Sequence, residues 1–493
     1  MFEDYTTPSA AESRQPNNAS LQTLENDLLK PLETGQEAIV AKIPDLSAQI
    51  NELLAGGSNG SRGLKTLIVR TISDAADGNL VVPDYVPASK SRQRVFEFRQ
   101  THWQEMESQE FFDFVRNCCR KMMVPDSMLL NASFMNQVYE DLAHSISKAC
   151  KQREVDGEVW INFLNGTLCI QKDGSSCLLP HNRDDFFRYV LPYSYDPEAQ
   201  CPLWHKFLDE VLPDRTVQDV MAEGIGLCFA PGIKSEKMLV FFGHGSNGKS
   251  VVLEVASAMF GSRNVSNVTL NDLTNDDRKR FLIEGKLVNI STESDRDLNT
   301  SILKTLVSGE PINVYELYRG ARIIKRYARL ITSFNILPRA ETTLGFYRRF
   351  LIIPFDVTID EKDADVNLAS KLKQELPGIL NWVLDGLRRY LANYHFTESQ
   401  PCNDALTHYK ASSDSVRLFV SEACEPIDEV VLGETSGIKL FNAYKQYCID
   451  ASIKIQGRNI FYEKLERMGY KRIVNQKLIS FNIKLIDEYE RLV

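Results

Sequence analysis

With 493 residues, 43% of them hydrophobic, and a formal net charge of −9, the chain is long enough for about three domains with well-formed cores. The acidic balance does not suggest a simple nucleic-acid binder, although it does not exclude one, because the local charge at a contact face decides. The ten cysteines are scattered, with no C-x-x-C pair and no partner pair at zinc-ligand spacing for the adjacent Cys118 and Cys119; this fits reduced thiols in a cytoplasmic protein better than a disulfide framework or a zinc site.

The N-terminus lacks the basic start and apolar core of a signal peptide. No apolar run reaches membrane-spanning length. A cytoplasmic protein without membrane contact is therefore expected, in the host cytoplasm if it is virus-encoded.

Residues 1 to about 22 are rich in small and polar types and read as a mobile tail. Residues 23–55 read as helical, with Leu24, Leu28, Leu29 and Leu32 near helical spacing. Gly56 to Ser61 breaks the chain, and Ala75 to Ser91, with Pro83 and Pro87, reads as a linker. From about 95 to 155 the pattern is helical and amphipathic, with an aromatic stripe that includes Phe96, Phe98, Trp103, Phe111, Phe112 and Phe114, together with Leu129, Leu130, Val138 and Leu142. Helical spacing favours core packing over a base-stacking platform. Residues 158–170 read as a hairpin turning at Asn165-Gly166, and 202–230 as helix ending at Pro231-Gly232. Segment 237–357 alternates strands and helices, which predicts a sheet with crossover helices. Residues 364–395 read as helical, and the last part, from about 404, as a separate small unit of helix and short strand. There is no internal repeat.

The stretch Gly243-His244-Gly245-Ser246-Asn247-Gly248-Lys249-Ser250 fits G-x-x-x-x-G-K-[ST]. The apolar run Met238 to Phe242 before it reads as a buried strand, and Val251 to Ala256 after it as a helix, which is the setting such a loop needs. Glycines let the backbone wrap a phosphate, and the helix N-terminus faces its charge. Lys249 would reach the β- and γ-phosphates of ATP, and Ser250 would hold Mg²⁺. About forty residues on, Glu293 and Asp295 follow the strand Leu287–Ile290. Strand-end carboxylates there suit Mg²⁺ binding and activation of a lytic water. Asn335 ends the strand Leu330–Phe334 and is either a γ-phosphate sensor or a turn-capping residue. Arg348 and Arg349 precede the strand Phe350–Phe355, where a guanidinium can stabilise a transferring phosphoryl group, often in the next subunit. Between these lies a run from Arg319 to Arg329 with five cations (Arg319, Arg322, Lys325, Arg326 and Arg329), no acid and nearby tyrosines. It reads as a solvated hairpin or, in an acidic chain, as a phosphate-backbone contact.

Taken in order, these motifs resemble the superfamily 3 helicases, and most closely the helicase part of phage and plasmid primase-helicases, the group with satellite-phage and poxvirus replication proteins. The resemblance covers roughly residues 100–493. It rests on Phe242 to Ser250, Gly285 to Asp295, Leu306 to Ile312 with Glu316 to Arg319, Thr332 to Pro338, and Tyr347 to Phe355. It implies an α/β fold with an AAA+-like P-loop ATPase core, forming a hexameric ring on single-stranded DNA and translocating 3′ to 5′. Lys249 and Ser250 would be its Walker A pair, Glu293 and Asp295 its Walker B acids, Asn335 its sensor and Arg348 or Arg349 its trans-acting finger. Arg319 and Lys325 match the basic positions of a DNA-contacting hairpin, with Arg322 and Arg326 beside them. The implied division is a variable region over 1–92, a helical domain over 93–235, the core over 236–400 and a winged-helix-like unit over 401–493, whose basic stretch 439–478 suits a second DNA contact.

Two departures stand out. The acids lie in Thr-Glu-Ser-Asp, leaving their division of roles open, and only about a hundred unmatched residues precede the helical region. No primase activity is expected from this chain; a separate primase or polymerase and fork or origin DNA are the expected partners. The alternative is an ATP-gated, origin-binding initiator that does not unwind processively. A small-molecule kinase on the same loop is disfavoured by the extra domains and the basic hairpin.

Overall fold

A computed structural model describes residues 35–56, 60–83, 93–293, 298–317, 320–338, 344–360, 362, 365–427, 436–450, 455–475 and 478–486. The expected N-terminal tail and the leucines at 24–32 lie outside them.

The chain begins with α1 (Gly35–Lys42), α2 (Ser47–Ala55) and α3 (Gly60–Ala76). On α3, Leu64, Ile68 and Ile72 recur every four residues and are fully buried, a one-faced helical stripe. They meet α4 (Ser108–Lys121) and α5 (Ala132–Ser145), which supply Phe111, Phe114, Val115, Val138 and Leu142 to the same core. The aromatic stripe is thus packing, as expected. Helix was the wrong element for its first part: Phe96 and Phe98 lie on β2 (Phe96–Phe98) and Trp103 on β3 (Trp103–Glu105), in a small antiparallel sheet with β1 (Leu80–Val81). Aromatics two apart suit a strand as well as they suit a helix turn. Leu130 is the exception to burial, at 85% exposed.

β4 (Val159–Phe163) and β5 (Gly166–Ile170) form the expected hairpin, joined by β6 (Ser176–Leu179). Phe163 pairs with Gly166, so the two turn residues are Leu164 and Asn165, one step earlier than Asn165-Gly166. The 202–230 helix is two helices, α6 (Pro202–Val211) and α7 (Arg215–Gly226). Pro202 sits in the first turn of α6, and Asp214 caps α7 by accepting from the Thr216 amide at 2.8 Å.

The central layer is a five-stranded, all-parallel sheet: β7 (Met238–Phe242), β8 (Val265–Ser266), β9 (Val288–Glu293), β12 (Arg329–Phe334) and β13 (Phe350–Pro354), in spatial order β13-β7-β12-β9-β8. Most of its residues are buried, the polar Asn289, Ser291 and Thr332 among them, as in helix-covered parallel strands. The short β8 carried no apolar run to reveal it. It is pinned by buried Asn289, whose Oδ1 accepts from Ser266 Oγ and the Val268 amide, each at 2.9 Å. α8 (Lys249–Phe260) leaves β7, and α9 (Thr300–Val307) follows β9. β10 (Ile312–Glu316) and β11 (Gly320–Ile324) form a separate antiparallel hairpin that precedes β12 in the chain.

α10 (Leu376–Asn393) packs against α7 at close range. A Cβ on Gly386 would stand 2.6 Å from Ala222, so only glycine permits this approach. The buried Glu223 between them is satisfied by Arg389 Nε at 2.7 Å and the Thr397 amide at 2.8 Å. α11 (Gln400–Ser413) lies on β13, and its Tyr409 joins the core of the sheet. The last unit has its own core, from Val416 to Leu485. Its order is α12 (Ser415–Ala423), β14 (Cys424–Pro426), α13 (Gly437–Asp450), α14 (Arg458–Arg467), β15 (Arg472–Asn475), β16 (Leu478–Phe481) and β17 (Ile483–Leu485), with β14 paired to β17 and β15 to β16. Among the described residues no helix is long and apolar enough to cross a membrane.

Candidate functional site

β7 ends at Phe242, α8 begins at Lys249, and the glycine-rich stretch is the loop between them, at the carboxyl edge of the parallel sheet. Ligands of parallel α/β sheets gather outside that edge. Gly248 adopts φ +84°, and a Cβ there would also press on Val211 and Phe207 at 3.0–3.1 Å. Gly243 is excluded from any larger residue by sterics alone, since its Cβ would lie 2.3 Å from Asn247 Nδ2 and from the Phe355 carbonyl oxygen.

The loop is tied at three points. Asn247 is buried; its Nδ2 donates to Phe355 O at 2.9 Å. The Ile359 amide donates to Ser246 O at 2.7 Å, and the Phe355 amide to Phe242 O at 2.7 Å. Lys249 is 5% exposed, and its Nζ donates to Gly243 O at 2.6 Å and to Asn247 Oδ1 at 2.8 Å. Burial lowers this amine below the usual lysine range, because desolvation penalises the charged form. His244, Gly245, Ser246 and Ser250 are exposed.

Strand register brings the other residues alongside. Pro354, Phe242, Phe334 and Glu293 form one row across the sheet. Asn335, exposed, is the residue after Phe334, so its backbone is beside that of Gly243. Glu293 closes β9 in the same row. Asp295 and Arg319 lie outside the described residues. The register therefore brings together the loop, Glu293 and Asn335, much as their order in the sequence predicts.

Arg348 and Arg349 are at the other end. They precede β13, and the Arg349 carbonyl accepts from the Met238 amide at 2.9 Å, at the start of β7. Five strand residues at about 3.3 Å each set them roughly 16 Å from the glycine loop. The two arginines also differ. Arg349 is partly buried: Nε donates to Lys304 O and Ser308 Oγ, each at 3.3 Å, Nη2 donates to Ser308 Oγ at 2.9 Å, and Nη1 donates to Gly345 O. Arg348 has a 63% exposed side chain and one ion pair, to Glu236 at 3.0 Å.

The basic run is divided in use. Arg322 is bound twice by Glu284, at 2.6 and 2.8 Å, and by Glu316 at 3.1 Å. Arg94 joins this network through Glu284 at 3.1 Å and Glu105 at 2.5 Å. Burial alone would push the Glu284 carboxyl up, but Arg322 and Arg94 outweigh it and hold it below the ordinary carboxylate range. Arg326 pairs with Glu154. Arg329 is committed to Ser235 Oγ at 2.8 Å and to the carbonyls of Ala230 and Ile233. Lys325 is exposed, as are the side chains of Tyr315, Leu317 and Ile323 around the hairpin. Of the expected DNA contacts, Arg322 is held by the partly buried Glu284 and Glu316, Arg326 pairs with the exposed Glu154, and Lys325 stands at the surface. The sequence reading did not anticipate Glu284 or Arg94; no local motif marks two residues 190 positions apart that meet only in the fold.

Residues 83–213 match the family described as D5 N terminal like, and residues 241–349 match a family of unknown function, DUF5906. A protein of Acanthamoeba polyphaga mimivirus named "Putative helicase L207/L206" is 20% identical over 402 residues. That match takes in 74% of this chain, and the chain spans 40% of the length of the mimivirus protein. Among solved structures, the A form apo structure of the NrS-1 C-terminal region, residues 305–718, is 11% identical and covers 80% of this chain and 94% of its own, with a TM-score of 0.41. A second apo structure of that region covers 84% and 98%, at 11% identity and a TM-score of 0.43.

Proposed function

We propose that this chain, which carries the D5 N terminal like and DUF5906 domains of the primase-helicase family in succession, is an ATP-dependent DNA helicase of a virus, plasmid or other mobile element that works on single-stranded DNA as a ring, a homo-hexamer in the superfamily 3 pattern. One observation carries the reading: Lys249 is buried on the first carbonyl of its own glycine loop, at the carboxyl edge of a parallel sheet, with Glu293 and Asn335 in register beside it.

In this reading the loop amides and Lys249 hold the β- and γ-phosphates of ATP. The loop's donor set suits them, since a phosphate can replace Gly243 O and Asn247 Oδ1 as partner of the buried amine. Ser250, on the first turn of α8, with Glu293 and Asp295, would hold Mg²⁺; a hydroxyl and carboxylates are ligands a hard cation takes. The bound ion would neutralise charge on the phosphates. Glu293 or Asp295 orients the attacking water and takes its proton, and Asn335 contacts the γ-phosphate. Arg348, roughly 16 Å from its own loop, would act in the site of the neighbouring subunit. Lys325, with Arg319, would contact the DNA backbone.

The test is ATP turnover with and without single-stranded DNA, for the wild type and Lys249→Ala. DNA-stimulated turnover that the substitution abolishes supports the motor and leads to strand-displacement assays. Turnover equal in both proteins would refute the site. The second reading, an ATP-gated initiator, takes the helix–strand–helix–helix–hairpin order of the C-terminal unit as support for a winged-helix-like role in DNA binding. Turnover indifferent to single-stranded DNA, combined with binding to one duplex site, would favour it.

A further inference from the structure

At the amino edge of the sheet, across from the glycine loop, a cleft of about 310 Å³ opens between the starts of β7 and β12, the end of α9 and the segment 231–237. That volume is at the small end of the range for ligand sites. The charged side chains on its wall are Lys234, Glu236, Lys237, Lys325, Arg326 and Arg329. Three of them are taken up by the fold. Arg329 donates to Ser235 Oγ at 2.8 Å and to the carbonyls of Ala230 and Ile233, which pins the segment that carries Lys234 and Lys237. Arg326 pairs with Glu154, and Glu236 pairs with Arg348 at 3.0 Å.

The other three, Lys234, Lys237 and Lys325, have no hydrogen bond or ion pair among the described residues. Lys234 and Lys325 are exposed, whereas Lys237 is partly buried. Ile331 pairs with Leu239, so Lys237 stands level with Arg329, just before the ladder. Burial, and then the proximity of Lys410 on α11 and of Arg348, lowers the Lys237 amine below the usual lysine range. An amine desolvated among like charges is costly unless an anion joins it.

The rest of the wall offers these lysines little. Tyr327 is buried, and its hydroxyl donates to Glu310 O at 2.8 Å and to Thr305 O and Leu306 O at 3.3 Å. The carbonyls at the end of α9 are thereby engaged, and the ring is not open for a base to stack on. Unshared lysines suit a backbone phosphate, which a compact point charge holds without reading sequence.

We propose that Lys234, Lys237 and Lys325 form a phosphate track, along which the DNA strand engaged by Lys325 enters this cleft and sets a backbone phosphate on Lys237. The inference extends the DNA contact proposed for Lys325 and rests on it. The presence of Lys325 on the same wall favours a strand over an acidic protein segment.

The experiment compares wild type, Lys237→Gln, Lys234→Gln and Lys325→Ala. Anisotropy of a labelled oligo-dT is read across a salt series, beside thermal melting and ATP turnover. Lys237→Gln should weaken oligo-dT binding, lower the log–log salt slope by about 1 and melt no lower than the wild type, since it removes a repelled charge. A folded Lys237→Gln that keeps the slope, while Lys325→Ala lowers it, overturns the cleft and leaves the hairpin contact standing. Slopes unchanged in both variants overturn the two together. Lost turnover or lost binding of a labelled oligo-glutamate in Lys237→Gln, at an unchanged slope, assigns the amine to a nucleotide or to an acidic segment and overturns the track. Should Lys237→Gln not fold, Lys234→Gln, at an exposed side chain, decides by the same slope.

Discussion

Arg348→Ala and Arg349→Ala, adjacent changes of the same chemistry, should have opposite consequences. Arg349 holds three acceptors, namely Lys304 O at the end of α9, Ser308 Oγ and Gly345 O. Hydrogen bonds to a charged donor contribute about 1.5–3 kcal/mol each, and they are not additive. Truncation removes these charged-donor bonds, although Lys304 O keeps the Ser308 amide at 3.0 Å, so a loss of about 1–3 kcal/mol is expected, or roughly 2–12 °C in Tm for a unit of this size. Arg348 has one exposed ion pair, of a kind that contributes about 0–1 kcal/mol, so Arg348→Ala should melt with the wild type. Its effect should be on turnover: removal of an arginine finger costs ~10³–10⁵ in rate. The assays are differential scanning fluorimetry and steady-state ATP hydrolysis across a range of protein concentrations. Full turnover in Arg348→Ala, or an unchanged Tm in Arg349→Ala, would refute this division of labour.

Lys325→Ala should keep DNA-free turnover and weaken DNA stimulation, with the log–log salt slope of single-stranded DNA binding reduced by about 1; an unchanged slope removes the hairpin as a contact. Gly386→Val should overpack the α7–α10 contact and lower stability by about 1–3 kcal/mol or more, read as a reduced chemical-denaturation midpoint. His102 is buried, and burial, with Arg99, Arg263 and His181 near it, pushes its pKa down to about 4 from 6.5. Below pH 6.5 the unfolded chain takes the proton first, so stability falls as pH drops from 6.5 towards 4, by about 3 kcal/mol for this group. His102→Asn should flatten the Tm profile across that window, and an equally steep profile would contradict the assignment.

Much of the candidate site was legible because it is local. Gly243 to Ser250 carries its own geometry, and a strand before it with a helix after it locates it in any parallel sheet. Glu293, Asn335 and the arginine pair were found by position relative to apolar runs, which are the strands. What the sequence could not reveal is which cations remain available. Arg322, Arg326 and Lys325 look alike in a list, and only the fold brings Glu284 to one and Glu154 to another while leaving the third exposed. Apolar periodicity likewise misread Phe96 to Trp103 as helix, because a three-residue strand is shorter than one helical repeat. The two-residue β8 was hidden for the same reason.

β13 deserves a mechanical description. One end carries Arg348; at the other, the Phe355 carbonyl is gripped by Asn247, whose own oxygen accepts from Lys249. Five residues in a sheet, four of them buried, act as a stiff strut. In a closed ring each subunit would place such a strut between the pocket it loads and the finger it lends, so consecutive pockets would be connected in series. A change at one pocket could then reach the next as a displacement along the strand axis, with no hinge between them to absorb it.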